Sequence, residues 1–193
     1  MVTASDDNTA RVWDLDKGTL LAQLDGHRSE VNAATFSADR RRIVTASNDR
    51  TARIWDADKG TLLGELSGHR GGVVTAAFSS NGRRVVTASN DSTARIWDSD
   101  DSAPLAELIG HRGSVTTAIF NADGRRVMTA SNDSTARLWN VSRASYDAKT
   151  LIAWITERLD NLDRAVSPGE CLRYFPSDTP QRPAVCATRS KGQ

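Results

Sequence analysis

Four tryptophans, Trp13, Trp55, Trp97 and Trp139, stand 42 residues apart, and His27, His69 and His111 keep the same interval. A period of this length holds one supersecondary unit that cannot bury its own apolar surface. Such units are stable only when stacked, so the chain is expected to be a modular array.

One unit, read from Gly26, is GHRSEVNAATFSADRRRIVTASNDRTARIWDADKGTLLGEL. Four short runs of small, β-branched and aliphatic residues alternate in it with polar turns, which predicts four strands. Strand a is expected from Val31 to Phe36, b from Ile43 to Ser47, c from Thr51 to Trp55 and d from Thr61 to Leu66. The connection from a to b is Asn81-Gly82 and Asp123-Gly124 in the later copies, dipeptides that accept positive φ and favour tight hairpins. Asp39-Arg40 stands there in the earlier copy and departs from this chemistry. Apolar residues lie on both faces of these strands, as with Val31 and Ala33 against Ala34 and Phe36. Each small sheet must therefore be sandwiched between its neighbours, as propeller blades are.

The motifs GHRSEV, VTASND and TARIWD, with Gly-His about 28 residues before Trp-Asp, resemble the WD-repeat family of β-propellers over residues 1–140. The resemblance implies an all-β propeller in which each blade holds a buried polar tetrad. The tetrads would be His27, Ser47, Asp49 and Trp55; His69, Ser89, Asp91 and Trp97; and His111, Ser131, Asp133 and Trp139. An opening part-blade keeps Ser5, Asp7 and Trp13. The chemistry of the set is sound on its own terms: an indole donates, a hydroxyl and an imidazole both donate and accept, and a carboxylate accepts. Because a buried member left unpaired costs about 1–3 kcal/mol, these residues are expected to be framework. His, Ser and Asp are also the elements of a hydrolase triad, but a triad repeated in every unit is not how an active site is built.

No catalytic residue, metal ligand set or cofactor is expected. The chain has no phosphate-binding GxxxxGK[ST], no GxGxxG and no HExxH, and Asp98 to Asp101 lacks the glycine and spacing of a calcium loop. The formal net charge of +1 supplies no field that would draw the chain to nucleic acid or to an anionic membrane. Its longest apolar run, Leu151 to Ile155, is far short of the roughly 20 residues of a membrane span. No secretory signal opens the chain, so a cytoplasmic location is expected. Cys171 and Cys186 lie outside the repeats without CxxC spacing and are expected to be free thiols.

Alternating strand direction sends the a–b and c–d loops to one face of the array and the b–c and d–a loops to the other. The first face collects Arg40 to Arg42, Arg83, Arg84, Arg125 and Arg126 among Asp14, Asp16, Asp56, Asp58, Asp98, Asp100 and Asp101, which predicts a solvated rim of mixed charge. On the second face, Glu30 and Asn32, Gly72 and Val74, and Ser114 and Thr116 differ between copies that are otherwise nearly identical. Asp6, Asn48, Asn90 and Asn132 share that face. The resemblance implies that these positions contact a protein partner.

Counting units gives strands b, c and d of one blade, two complete blades, and a, b and c of another. A propeller needs roughly 4–8 blades, so the ring is expected not to close. The segment is expected to be the C-terminal part of a longer reading frame with apolar edges that favour self-association. Residues 141–193 form the predicted tail: Leu151, Ile155, Leu159, Leu162 and Val166 recur at helical intervals, and Ser167-Pro168-Gly169-Glu170 is a capping box opening a second helix through Tyr174. With LIAWITERL and SPGECLRYFP, the tail is similar to the end of bacterial multidomain WD-repeat proteins of the signal-transduction NTPase type. Three functions follow as expectations. The first is a noncatalytic protein-interaction scaffold or sensor in a signalling protein, the second the end of an NTPase catalysed from upstream, and the third a self-assembling short propeller.

Overall fold

The computed structural model describes residues 1–142, and the expected helical tail and both cysteines lie outside the described residues. The described residues form antiparallel sheets only. β1 (Val2–Ala4), β2 (Ala10–Asp14) and β3 (Thr19–Leu24) make a first, three-stranded sheet. β4 (Val31–Phe36), β5 (Arg42–Ser47), β6 (Thr51–Asp56) and β7 (Leu62–Ser67) make the second, in chain order. The third repeats that plan with β8 (Val73–Phe78), β9 (Arg84–Ser89), β10 (Thr93–Asp98) and β11 (Pro104–Ile109). The fourth sheet contains β12 (Val115–Phe120), β13 (Arg126–Ser131) and β14 (Ala136–Asn140). The sheets stack without closing a ring. Strand a agrees with its expected span, while b starts one residue earlier, c ends one later and d is shifted by one.

Stacking is what makes these sheets stable. Val44, Ala46, Ala52, Ile54 and Leu66 of the second sheet pack against Val73, Ala76, Val85 and Trp97 of the third. Val86, Ala88, Ala94, Ile96 and Leu108 of the third pack in the same way on Val115, Ala118, Val127 and Val141. Each buried Val, Leu or Ile side chain contributes about 1.5–3 kcal/mol. β9, between two neighbours, is buried at all of its positions, whereas β13 alternates buried and exposed residues along its first half because only one side is covered. The change from a continuous to a period-2 pattern therefore reports how many faces are covered, not a change of strand type.

Arginines tie the sheets together at the a–b end. Arg42 donates to the Gly82 carbonyl at 2.7 Å, to Ser99 Oγ at 3.1 Å and to Asp100 at 2.9 Å, and lies over the Phe78 ring. Arg84, which is buried, donates to the carbonyls of Gly124 and Val141 and lies over Phe120. The expectation of a solvated mixed rim thus fails for Arg42 and Arg84. Both reach the next sheet, where a guanidinium satisfies loop carbonyls that no strand can pair.

Candidate interaction face

The frame beneath this face is a chain of hydrogen bonds inside each blade. In the second sheet Trp55 Nε1 donates to Thr45 Oγ1 at 2.9 Å, Thr45 Oγ1 lies 2.7 Å from His27 Nε2, and His27 Nδ1 lies 2.8 Å from Asp49 Oδ2. The third sheet repeats it through Trp97, Thr87, His69 and Asp91 at 2.9, 2.8 and 2.8 Å. The fourth does so through Trp139, Thr129, His111 and Asp133, each step 2.8 Å. The hydroxyl is thus a threonine, and the expectation of Ser47, Ser89 and Ser131 in this role is corrected.

Those serines have a different task. Ser47 Oγ donates to the Ser29 carbonyl at 3.0 Å and accepts the Asp49 N–H at 3.0 Å, which staples the d–a loop to the b–c turn. Ser89 and Ser131 do the same with the Gly71 and Gly113 carbonyls. The serine terminates strand b, so its side chain meets loop backbone; the threonine two residues earlier lies deeper, within reach of the indole. In the first sheet Trp13 donates to Thr3 at 2.9 Å, and Arg11, at 2.6 Å, holds the Asp7 carboxylate.

The direction of the chain follows from donor counting. Trp Nε1 only donates, so the threonine oxygen accepts from it and its own O–H is free to donate to His Nε2. The imidazole then carries its proton on Nδ1 and gives it to the carboxylate; this tautomer is assigned from the network. A neutral ring satisfies every member, whereas a protonated one would turn the Thr45 O–H toward the Arg53 carbonyl, 3.5 Å away. Burial accordingly holds His27 and His69 below the ordinary imidazole value, against the pull of Asp49 and Asp91. For the carboxylates burial acts upward, but hydrogen bonds from Thr51, Arg28 N–H and His27 bring Asp49 well below the usual range. Asp91 is lowered similarly. Glycine before each histidine is favoured by the backbone: Gly68 has φ 145°, where a side chain is strained, and a Cβ there would also push aside Arg95 Nη1, 2.5 Å away.

On this frame each b–c turn carries one left-handed residue, Asn8, Arg50, Ser92 or Ser134, which in the second and third sheets is the last of a three-residue loop. The Asn48, Asn90 and Asn132 N–H groups donate to the carbonyls of Glu30, Gly72 and Ser114 at 3.0, 2.9 and 2.9 Å. Two sets of expected contact positions are thereby joined, residue by residue. A register shift in strand a leaves Asn32, Val74 and Thr116 without a partner opposite them on strand b. These are β-bulges, which re-aim a side chain away from the ladder.

The line runs across blades as well. Asn32 Nδ2 donates to Asn48 Oδ1 and to the Val73 carbonyl of the next sheet, both at 2.8 Å. Asn48 Nδ2 reaches the Glu30 carboxylate at 3.3 Å. Gly72 lies against Asn48, where a Cβ would be 2.7 Å from Oδ1. Ser114 Oγ is 3.5 Å from the Asn90 carbonyl, and Thr116 Oγ1 donates to Ala130 O at 3.3 Å. Asp6 follows Ser5, whose carbonyl accepts the Val31 N–H at 3.1 Å. Asp6, Asn32, Asn48, Asn90 and Asn132 are exposed, and Glu30, Gly72, Val74, Ser114 and Thr116 are half-buried. Sequence reasoning missed the threonines, the arginine ties and the bulges; a hydroxyl ten residues before each tryptophan was the available signal for the first.

An open stack of antiparallel sheets of three or four strands, three of them holding an indole-to-carboxylate chain, defines a propeller-type repeat protein. The family model described as WD domain, G-beta repeat matches residues 1–14, 18–56, 60–98 and 102–140, and the chain belongs to the WD-repeat family. No curated protein matches the chain. Domains of this family generally mediate protein–protein interactions as scaffolds.

Proposed function

We propose that the b–c and d–a face binds a segment of a protein partner. The observation that carries this reading is the line Glu30, Asn48, Asn32 and Gly72, in which exposed amides are held in place across two blades by hydrogen bonds. Such groups lose little conformational freedom on binding, so more of their interaction energy is kept as affinity. They present both donors and acceptors, which suits a peptide backbone or polar side chains. No large aromatic stands among them, so affinity would be spread over many modest contacts and not concentrated in one anchor. The finer form of the proposal places this scaffold in a larger signalling protein, a reading that rests on the resemblance of LIAWITERL and SPGECLRYFP to the end of bacterial multidomain WD-repeat proteins.

The test is affinity capture with the 193-residue chain, comparing wild type with Asn48→Arg/Asn90→Arg and, on the opposite face, Arg41→Glu/Arg83→Glu. A protein retained by wild type and by the opposite-face variant but lost from the first variant supports the reading. Retention unchanged in the asparagine variant, with its melting curve intact, overturns it.

A further inference from the structure

The opposite charges at the a–b end are sorted by loop. The a–b hairpins of the second and third sheets, residues 37–42 and 79–84, carry Arg40, Arg41, Arg42, Arg83 and Arg84 against one carboxylate, Asp39. The c–d loops of the same sheets, residues 56–61 and 98–103, carry Asp56, Asp58, Asp98, Asp100 and Asp101 against one cation, Lys59. Neighbouring hairpins are joined: Arg42 donates to the Gly82 carbonyl at 2.7 Å, and Ser80 Oγ donates to the Ala122 carbonyl in the hairpin of the fourth sheet, also at 2.7 Å. A continuous cationic strip results, edged by carboxylates. Asp56 and Asp98 close their own turns through the N–H groups of Asp58 and Asp100, and Asp100 pairs with Arg42.

Folding does not account for this strip. Arg41 and Arg83 are fixed at both backbone groups: their N–H groups donate to Asp39 Oδ1 and Asn81 Oδ1, both at 3.1 Å, and their carbonyls accept from Ala57 and Ser99 at 2.9 and 3.0 Å. Both residues are exposed, and among the described residues neither makes an ion pair. Asn81 accepts from Ser79 Oγ and Arg83 N–H as Asp39 accepts from Ser37 Oγ and Arg41 N–H. The turn-closing acceptor is thus kept while its charge is omitted, so the hairpin of the third sheet has two arginines and no carboxylate. Arg40, also exposed, stands at φ 61°, where the later copies have glycine. A side chain is strained there, and strain of this kind persists where something other than stability is served.

We propose that this strip docks an acidic segment of a partner protein, whose carboxylates meet Arg40, Arg41 and Arg83. A guanidinium can hold a carboxylate through two parallel N–H bonds, and the anchored backbone of Arg41 and Arg83 lowers the cost of ordering them. A nucleic acid suits the strip less well. The Phe78 ring lies under Arg42 and not open to a base, and a long polyanion would run across the carboxylates of the c–d loops. This site is at the opposite end of the sheets from the b–c and d–a face and does not depend on it.

Fluorescence anisotropy with the whole chain tests it, the probe being a fluorescein-labelled peptide of alternating glutamate and glycine beside its glutamine counterpart. Wild type is expected to bind the acidic peptide alone, and less tightly as salt rises. Arg41→Glu/Arg83→Glu is expected to weaken binding about tenfold. Arg28→Glu/Arg70→Glu, the same change of charge at exposed positions on the opposite face, is expected to bind as wild type does. Asn81→Asp, which keeps the acceptor of the turn, and Arg40→Gly, which relieves the strain, are each expected to weaken binding about threefold, with circular dichroism unchanged. Absence of binding by wild type overturns the proposal, as does binding that is unchanged in Arg41→Glu/Arg83→Glu or in both single variants. Equal weakening by the two double variants also overturns it, because that marks a response to net charge alone. So does an oligouridylate bound more tightly than the peptide at the same salt.

Discussion

Thr87 Oγ1 accepts the indole N–H of Trp97 at 2.9 Å, and through that oxygen the tryptophan is tied to His69. Thr87→Val keeps the shape and removes the oxygen. It strands both the indole N–H and the imidazole Nε2 in a buried site, at a cost of about 2–4 kcal/mol. Ser89→Ala opens a loop staple and leaves the Asp91 N–H and the Gly71 carbonyl closer to water, costing about 1 kcal/mol. Urea unfolding of the two variants is expected to rank them in that order; the opposite order would show that the serine belongs to the buried chain.

Acidification should weaken the fold in two stages. His27 and His69 titrate below 6.5 in the folded chain, so the unfolded chain binds protons first. Their contribution is complete above the unfolded value and is lost as pH falls toward the folded one. Asp49 and Asp91 are also lowered, from 3.8, and their contribution disappears at still lower pH. Urea midpoints measured down a pH series are expected to be level above 6.5, to decline below it, and to decline again in the carboxylate range. Rising stability below 6.5 would mean that the rings are charged in the fold.

Arg40 has φ 61°, the conformation that Gly82 and Gly124 adopt at φ 70° and 68° in the later copies. A side chain there costs roughly 1–2 kcal/mol of left-handed strain, partly offset because glycine gains more freedom on unfolding. Arg40→Gly should therefore raise the melting temperature by roughly 2–4 °C. Gly82→Ala should lower it, since alanine is strained at φ 70° and its Cβ would lie 3.3 Å from Arg42 Nη2. Differential scanning calorimetry decides both.

Arg84→Met keeps an apolar stem but deletes the guanidinium, removing it from over Phe120 and leaving the Gly124 and Val141 carbonyls without their donor. The expected loss is about 2–3 kcal/mol. Arg41→Met, at an exposed position on the corresponding loop of the second sheet, should change stability by less than about 0.5 kcal/mol. Equal denaturation midpoints for the two would remove the tie between sheets from the account.

The sheet order, the four-strand units and the open stack were legible in the sequence because a fixed period and apolar residues on both strand faces admit few other solutions. The histidine, aspartate and tryptophan positions were legible through the resemblance of GHRSEV, VTASND and TARIWD to the WD-repeat family. The hydroxyl was not: Thr45 and Ser47 lie on the same side of one strand, so alternation cannot separate them, and depth along the blade decides. Arg42 and Arg84 read as rim charges because their partners are backbone carbonyls of another repeat, which leave no mark on composition. The bulges at Asn32, Val74 and Thr116 are register events, set by how strand a meets the turn, and neither residue type nor spacing announces them.

Each chain of bonds from indole to carboxylate begins and ends inside one repeat, His27 to Trp55 enclosing the whole of it. A tandem duplication of that stretch of gene would deliver a complete, already satisfied module, needing only an arginine and an apolar face to join its neighbour. An ancestral line could lengthen the array by copying alone, and diverge afterwards at the bulges and turns without disturbing what holds each module upright.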